Sequence, residues 1–216
     1  KRPNGAVAAV IGDVTGHGPD AAALGASLRA AWRALALRGA SLQANMRTLN
    51  SLTLDESERA EEGALGVGLL ATVCVVEIDP TGRRARFVNA GHPMPLLLSD
   101  GVAQLEHTPG LMLGVEDRGD WAPHEVTLPD DWGLLFYSDG IVDARLSPRS
   151  SERLGLTGLR PLVYDLWRRR ATGPRDLEGL VDAVQKGQAD ILEDDVTLLL
   201  FTGGDRTTGP AQTHVI

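Results

Sequence analysis

Residues 69–89 read LLATVCVVEIDPTGRRARFVN. Leu69–Ile78 is a continuous apolar run rich in β-branched side chains, Asp79-Pro80-Thr81-Gly82 is turn chemistry, and Arg84–Asn89 supplies a partner strand. Two strands joined by so short a turn pair antiparallel. The same reading extends outward in both directions. Pro95–Leu98, Ser99-Asp100-Gly101 and Val102–His107 make a second hairpin, and Glu125–Leu128 and Gly133–Ser138 bracket another turn at Pro129–Trp132. Ala6–Ile11 is a buried strand ending at Gly12, and Val196–Phe201 is a last one.

Helices come in pairs before and after these strands. Pro19 opens the first at a favoured first-turn position, Leu24, Leu28, Ala31 and Leu35 recur at helical spacing, and Gly39 stops it. Ser41 caps a second that runs through Met46 and Leu49. The acidic stretch Asp55–Glu62 is expected to be a solvated loop or a frayed helix end. Two further helices are expected at about Gly158–Arg170 and Asp176–Asp190. Clustered hairpins between helix pairs define an α+β chain with antiparallel sheets, not alternating β-α-β units. The tail 203–216, rich in Thr, Gly and Pro, is expected to be flexible, leaving 1–202 as one domain.

The bulk numbers narrow the function. The chain has 216 residues, 43% of them hydrophobic, with a net charge of −8. The one basic cluster, Arg168–Arg170, falls at an expected helix end, so nucleic-acid binding is excluded. The single cysteine, Cys74, lies in an apolar run and reads as a buried thiol in a reducing cytoplasm. The longest apolar stretch, 64–76, is too short to span a bilayer and closes on Glu77, so this segment inserts in no membrane. No signal peptide is evident. Trp32, Trp121, Trp132 and Trp167 are too scattered for a stacking platform and read as packing.

Three carboxylate positions stand out. Asp13 follows the first strand in IGDVTGHG (11–18), Asp139 follows another in YSDG (137–140), and Asp194-Asp195 precede the last in EDDVT (193–197). Each has a plain alternative: an Asx turn, a type I′ turn and a solvated strand start. Carboxylates at strand ends can converge, and converged carboxylates repel unless cations neutralise them. Oxygen ligands without paired His or Cys favour Mg²⁺ or Mn²⁺. Two such ions can hold a phosphate and acidify a bridging water.

GDVTGHGPDAA, FVNAGHPMPLLL, LLFYSDGIVDAR and EDDVTLLLF occur in an order and spacing that closely resemble the metal-dependent protein phosphatases of the PPM (type 2C) family, in the bacterial branch named after sporulation stage II protein E. The similarity covers about Ala6 to Phe201. It implies two antiparallel β-sheets in a sandwich flanked by helices, with two Mn²⁺ or Mg²⁺ at one end. Asp13 would bridge the ions, with the Val14 carbonyl as a further ligand, and Asp139 and Asp194 would hold the other ion. Asp195, Gly12, Gly16 and Gly140 would support them, the glycines by letting backbone approach the cations. Water would attack a phosphoserine or phosphothreonine without a phosphoenzyme intermediate. His17, Asn89 and His92 would lie near the substrate, with His92 shaping its turn through hydrogen bonds.

The resemblance also implies partners. The substrate would be a phosphorylated anti-sigma-factor antagonist, and upstream sensory domains would control the activity. Family members carry a further acidic residue before the first strand, which nothing here matches. The opening strands are thus expected to be missing and the second ion to be held weakly. A catalytically impaired regulatory or binding module is the alternative. A receiver domain is rejected: the strand order is wrong, and the only lysines, Lys1 and Lys186, fall at a terminus and in an expected helix.

Overall fold

The computed structural model describes residues 1–62, 68–146, 151–187, 194–203 and 212–215. The first half runs β1 (Val7–Val14), α1 (Pro19–Leu37), α2 (Leu42–Glu62), β2 (Ala71–Ile78) and β3 (Arg84–Ala90). Then come β4 (Leu96–Leu98), β5 (Val102–Gln104), β6 (His124–Thr127) and β7 (Trp132–Tyr137). After a short 3-10 turn at Asp139–Ile141 follow α3 (Gly155–Arg168), α4 (Pro174–Gly187), β8 (Leu198–Gly203) and β9 (Gln212–Val215). The elements form two antiparallel sheets, ordered β1-β2-β3-β6 and β5-β4-β7-β8-β9, with flanking helices. The expected α+β class with two antiparallel sheets is what is found. The chain divides into two compact units, residues 1–92 with 107–128, and residues 93–106 with 129–216.

In the first unit the β2–β3 hairpin holds the register Val73↔Ala90 to Ile78↔Ala85. Asp79 organises its turn. One carboxylate oxygen accepts from the Arg83 N–H at 3.0 Å, and the Asp79 carbonyl accepts from the Gly82 N–H at 3.0 Å. β1 lies beside β2 from Val7↔Ile78 to Val14↔Ala71. Helices α1 and α2 bury Leu24, Leu28, Leu42, Met46 and Leu49 in one cluster with Val73, Val75 and Val88 of the sheet. These helical residues recur at three- and four-residue spacing, which is why one face of each helix is apolar. The Ser41 hydroxyl accepts from the Ala44 N–H at 3.2 Å, the cap its position implies. Arg2 forms a buried ion pair with Glu77.

The second unit packs α3 and α4 against its sheet. Leu159, Val163, Leu166, Trp167, Leu177, Leu180 and Val184 are buried in one cluster with Leu96, Leu98, Leu135, Tyr137, Leu198 and Leu200. The Trp167 indole N–H donates to the Ser99 carbonyl at 2.8 Å. Gly133 admits that ring, since a Cβ there would lie 2.8 Å from it.

Several expectations are corrected. Asp55–Glu62 is helical to its end, because Glu, Arg and Ala are strong helix formers and Glu56 pairs with Arg59 at 2.8 Å. β6 and β7 flank a turn yet belong to different sheets, β6 on β3 and β7 between β4 and β8. The flexible tail expected over 203–216 does not hold at Gln212–Val215, which pairs with β8 from Leu199↔Val215 to Thr202↔Gln212. An extended segment beside an open strand edge gains backbone hydrogen bonds by joining it. Residues 188–190 of the expected last helix and Glu193 lie outside the described residues. Among the described residues no helix is long and apolar enough to cross a membrane. Cys74 is buried, and burial pushes its thiol up to about 12. Trp121, Trp132 and Trp167 are buried, so packing accounts for them.

Candidate functional site

In the second unit, β7 delivers the chain to Ser138, and Asp139 opens the 3-10 turn that follows. The Asp143 N–H donates to the Asp139 carbonyl at 2.8 Å and closes that turn. Ser138 ties it to the approach of β8. Its N–H donates to the Thr197 carbonyl at 3.0 Å, and its hydroxyl donates to the Asp195 carbonyl at 3.1 Å. The same hydroxyl accepts from the Thr197 N–H at 2.8 Å. Gly140 completes the clamp, because a Cβ there would sit 2.5 Å from the Asp195 carbonyl oxygen. Asp194 is exposed, and one of its carboxylate oxygens accepts from the Asp195 N–H at 2.8 Å.

Asp139 and Asp194 are therefore brought together at one end of the β7–β8 pair. Partial burial, then the charges of Asp194 and Asp143, raise the Asp139 carboxyl above the ordinary carboxylate value. A cavity of about 200 Å³ beside them is lined by Gly140, Asp143, Arg153 and Asp194.

The first unit carries the other expected residues. Asp13 is exposed near the end of β1, opposite Thr72 of β2, and Val14 is the strand's last residue. Gly12 lets the strands approach, since a Cβ there would lie 2.6 Å from the Thr72 carbonyl oxygen. Gly16 has φ +89°, which an L side chain rarely adopts, and His17 beside it is exposed. The Asn89 amide accepts from the His92 N–H at 2.8 Å and donates to the His92 carbonyl at 2.9 Å, locking the turn. His92 is buried, with its Nδ1 3.0 Å from the Thr72 hydroxyl.

The donor chemistry fits a hard divalent cation: two mutually repelling carboxylates, a third within electrostatic reach, and no soft ligand in the cavity lining. Among the described residues no three His, Cys, Asp or Glu side chains gather tightly enough to hold one ion by themselves. Three contributors were missed in the sequence: Ser138, Asp143 and Arg153. Asp143 had a legible signal, since it lies four residues past Asp139 and so on the same side of a helical turn. Ser138 and Arg153 had none, because their partners are remote in the chain or main-chain atoms.

Two antiparallel sheets with flanking helices match the fold of PP2C-like phosphatase domains. A family model described as Stage II sporulation protein E (SpoIIE) matches residues 3–202, and the chain belongs to that family. It is 29% identical over 139 residues to phosphoserine phosphatase RsbP of Bacillus subtilis (strain 168), covering 64% of this chain and 34% of that protein. This chain thus corresponds to about a third of its curated relative.

Among solved structures, the RsbU and RsbW domains of Rv1364c from Mycobacterium tuberculosis match with a TM-score of 0.72 at 24% identity, over 98% of this chain and 52% of that one. The SiaA-PP2C domain of Pseudomonas aeruginosa matches with a TM-score of 0.70 at 20% identity, over 92% and 80%. RsbX, solved in complex with magnesium, matches with a TM-score of 0.63 at 14% identity, over 94% and 83%.

Proposed function

We propose that this chain is a metal-dependent phosphoserine/phosphothreonine protein phosphatase. The observation that carries the reading is the meeting of Asp139 and Asp194 at the end of the β7–β8 pair, in a chain of the SpoIIE family. Asp139 and Asp194 would hold one divalent ion, and Asp13 and the Val14 carbonyl would be further ligands. Asp195 would support Asp194 through its backbone. Bound Mn²⁺ or Mg²⁺, two ions in the full site, would supply positive charge for a phosphoryl oxygen and acidify water for attack on phosphorus.

The rest is the work of the chain. Ser138 and Gly140 keep the turn bearing Asp139 against the backbone of Asp194 and Asp195, so the carboxylate spacing is set before a cation arrives. Bringing like charges together raises the cost of the metal-free state, and a cation relieves it. The Asn89–His92 lock holds its turn rigid beside Thr72, the residue opposite Asp13. We propose further that the substrate would be a phosphorylated anti-sigma-factor antagonist in the cytoplasm, with upstream sensory domains setting the activity.

Hydrolysis of a generic aryl phosphate, with and without millimolar Mn²⁺, tests the reading. Turnover should require the metal. Asp139→Asn should lose on the order of 100-fold or more, since even outer-shell changes at metal sites reach that size. Metal-independent turnover, or full turnover in Asp139→Asn, would overturn the assignment.

A further inference from the structure

In the first unit β3 stops at Ala90, and the connection from β5 to β6 takes over its place beside β2. Gly110 bridges to Ala90, and its N–H donates to the Asn89 carbonyl at 2.9 Å. Leu113 bridges to Ala71: its N–H donates to the Ala71 carbonyl at 2.9 Å, and its carbonyl accepts from the Ala71 N–H at 3.1 Å. From α2 the buried Asn50 holds the next residues, its amide oxygen accepting from the Gly114 N–H and its amide nitrogen donating to the Glu116 carbonyl, both at 2.9 Å. The indole N–H of buried Trp121 donates to the Leu111 carbonyl at 2.8 Å.

A backbone tied down so closely still presents Leu111 and Val115 to solvent, each 48% exposed and together two of the four large apolar side chains exposed among the described residues. Single exposed apolar groups are ordinary, but two on one fixed segment form a surface that loses little conformational freedom when covered. Its position says what covers it. Leu113, between them, pairs with Ala71, and Ala71 pairs on its other side with Val14, the neighbour of Asp13. Two strand spacings, about 10 Å, therefore separate this segment from the Asp13 end of β1, and an extended peptide covers that in about three residues. Glu116 and Asp117 follow directly, both exposed and in no ion pair among the described residues, ahead of Arg118. We propose that Leu111 and Val115 dock the phosphoprotein substrate through an apolar side chain about three residues from its phosphorylated residue, with a basic side chain beside it facing Glu116 and Asp117. This rests on the phosphatase reading and adds to it what the substrate must present around its phosphate.

Three phosphoserine peptides and an aryl phosphate test it at millimolar Mn²⁺. The first peptide carries Leu three residues to each side of the phosphoserine and Lys next outward; the second has Ser for each Leu, and the third Gln for each Lys. By kcat/KM the wild type should prefer the first peptide to the second about 10-fold, the effect of partly burying such side chains. It should prefer the first to the third about 2- to 5-fold, as for an exposed ion pair. Leu111→Ser/Val115→Ser should lose the first preference, and Glu116→Gln/Asp117→Asn only the second, with melting temperature and aryl phosphate kcat/KM unchanged in both. Equal wild-type turnover of the first two peptides overturns the proposal, as does a Leu preference that survives in Leu111→Ser/Val115→Ser or an equal loss there on the aryl phosphate. A wild-type dimer that the same double variant splits into monomers, by sedimentation, would assign the patch to self-association and overturn it too. A wild type that hydrolyses neither aryl phosphate nor peptide with metal overturns the phosphatase reading itself, whereas turnover without discrimination removes only the docking role.

Discussion

Asp139 carries the sharpest residue-scale consequence. Burial and the charges of Asp194 and Asp143 make the folded chain keep its proton where the unfolded chain releases it. The folded state then binds more protons than the unfolded one, so metal-free stability falls as pH rises from the ordinary carboxylate value through the raised one. Asp139→Asn removes that loss. In the presence of a chelator, the melting temperature at about pH 7 minus that at about pH 4 should be more positive for the variant than for the wild type, whatever the other carboxylates, Asp79 among them, contribute to both. An equal or more negative difference in the variant would show that Asp139 is not a group responsible. The three aspartate positions stood out in the sequence because each sits where an apolar strand meets a turn. Arg153 did not, since its place depends on a backbone bridge eight residues back in the chain, at Arg145, which no side-chain pattern announces.

Among elements, the hairpins were legible and the connections were not. Asp79-Pro80-Thr81-Gly82 dictated its turn through local chemistry, and the β2–β3 ladder follows from it. The turn between β6 and β7 looked the same by composition, yet its strands go to different sheets, a choice made by long-range pairing with β3 and β4. Asp55–Glu62 was misjudged by weighing charge over helix propensity. The glycine of the 3-10 turn gives an element-scale prediction. A Cβ at Gly140 must push against the Asp195 carbonyl, so Gly140→Ala should cost about 1–3 kcal/mol, the usual range for overpacking. Because it spreads the ends of β7 and β8, it should also weaken Mn²⁺ binding. Urea unfolding and a metal titration would check both, and a variant with wild-type values in each would refute the clamp.

For the whole molecule, the expected class and family hold over nearly the full chain, and the flexible tail does not hold at Gln212–Val215. If the chain binds divalent ions in its folded state alone, adding them must raise its melting temperature by mass action. Millimolar Mn²⁺ should therefore give a rise in the wild type that largely disappears in Asp139→Asn, with far-ultraviolet circular dichroism unchanged on chelation. A rise of the same size in the variant would place the binding elsewhere. The backbone that spaces Asp139 and Asp194 is a strand pair, whereas Arg153 arrives on a separate excursion between Ala144 and Leu154. Mutational drift in that excursion leaves the strand register untouched. On the proposed phosphatase reading, a lineage of such proteins would then be able to exchange one phosphoprotein for another through substitutions outside the β7–β8 pair, with the Asp139–Asp194 spacing passing unaltered from ancestor to descendant.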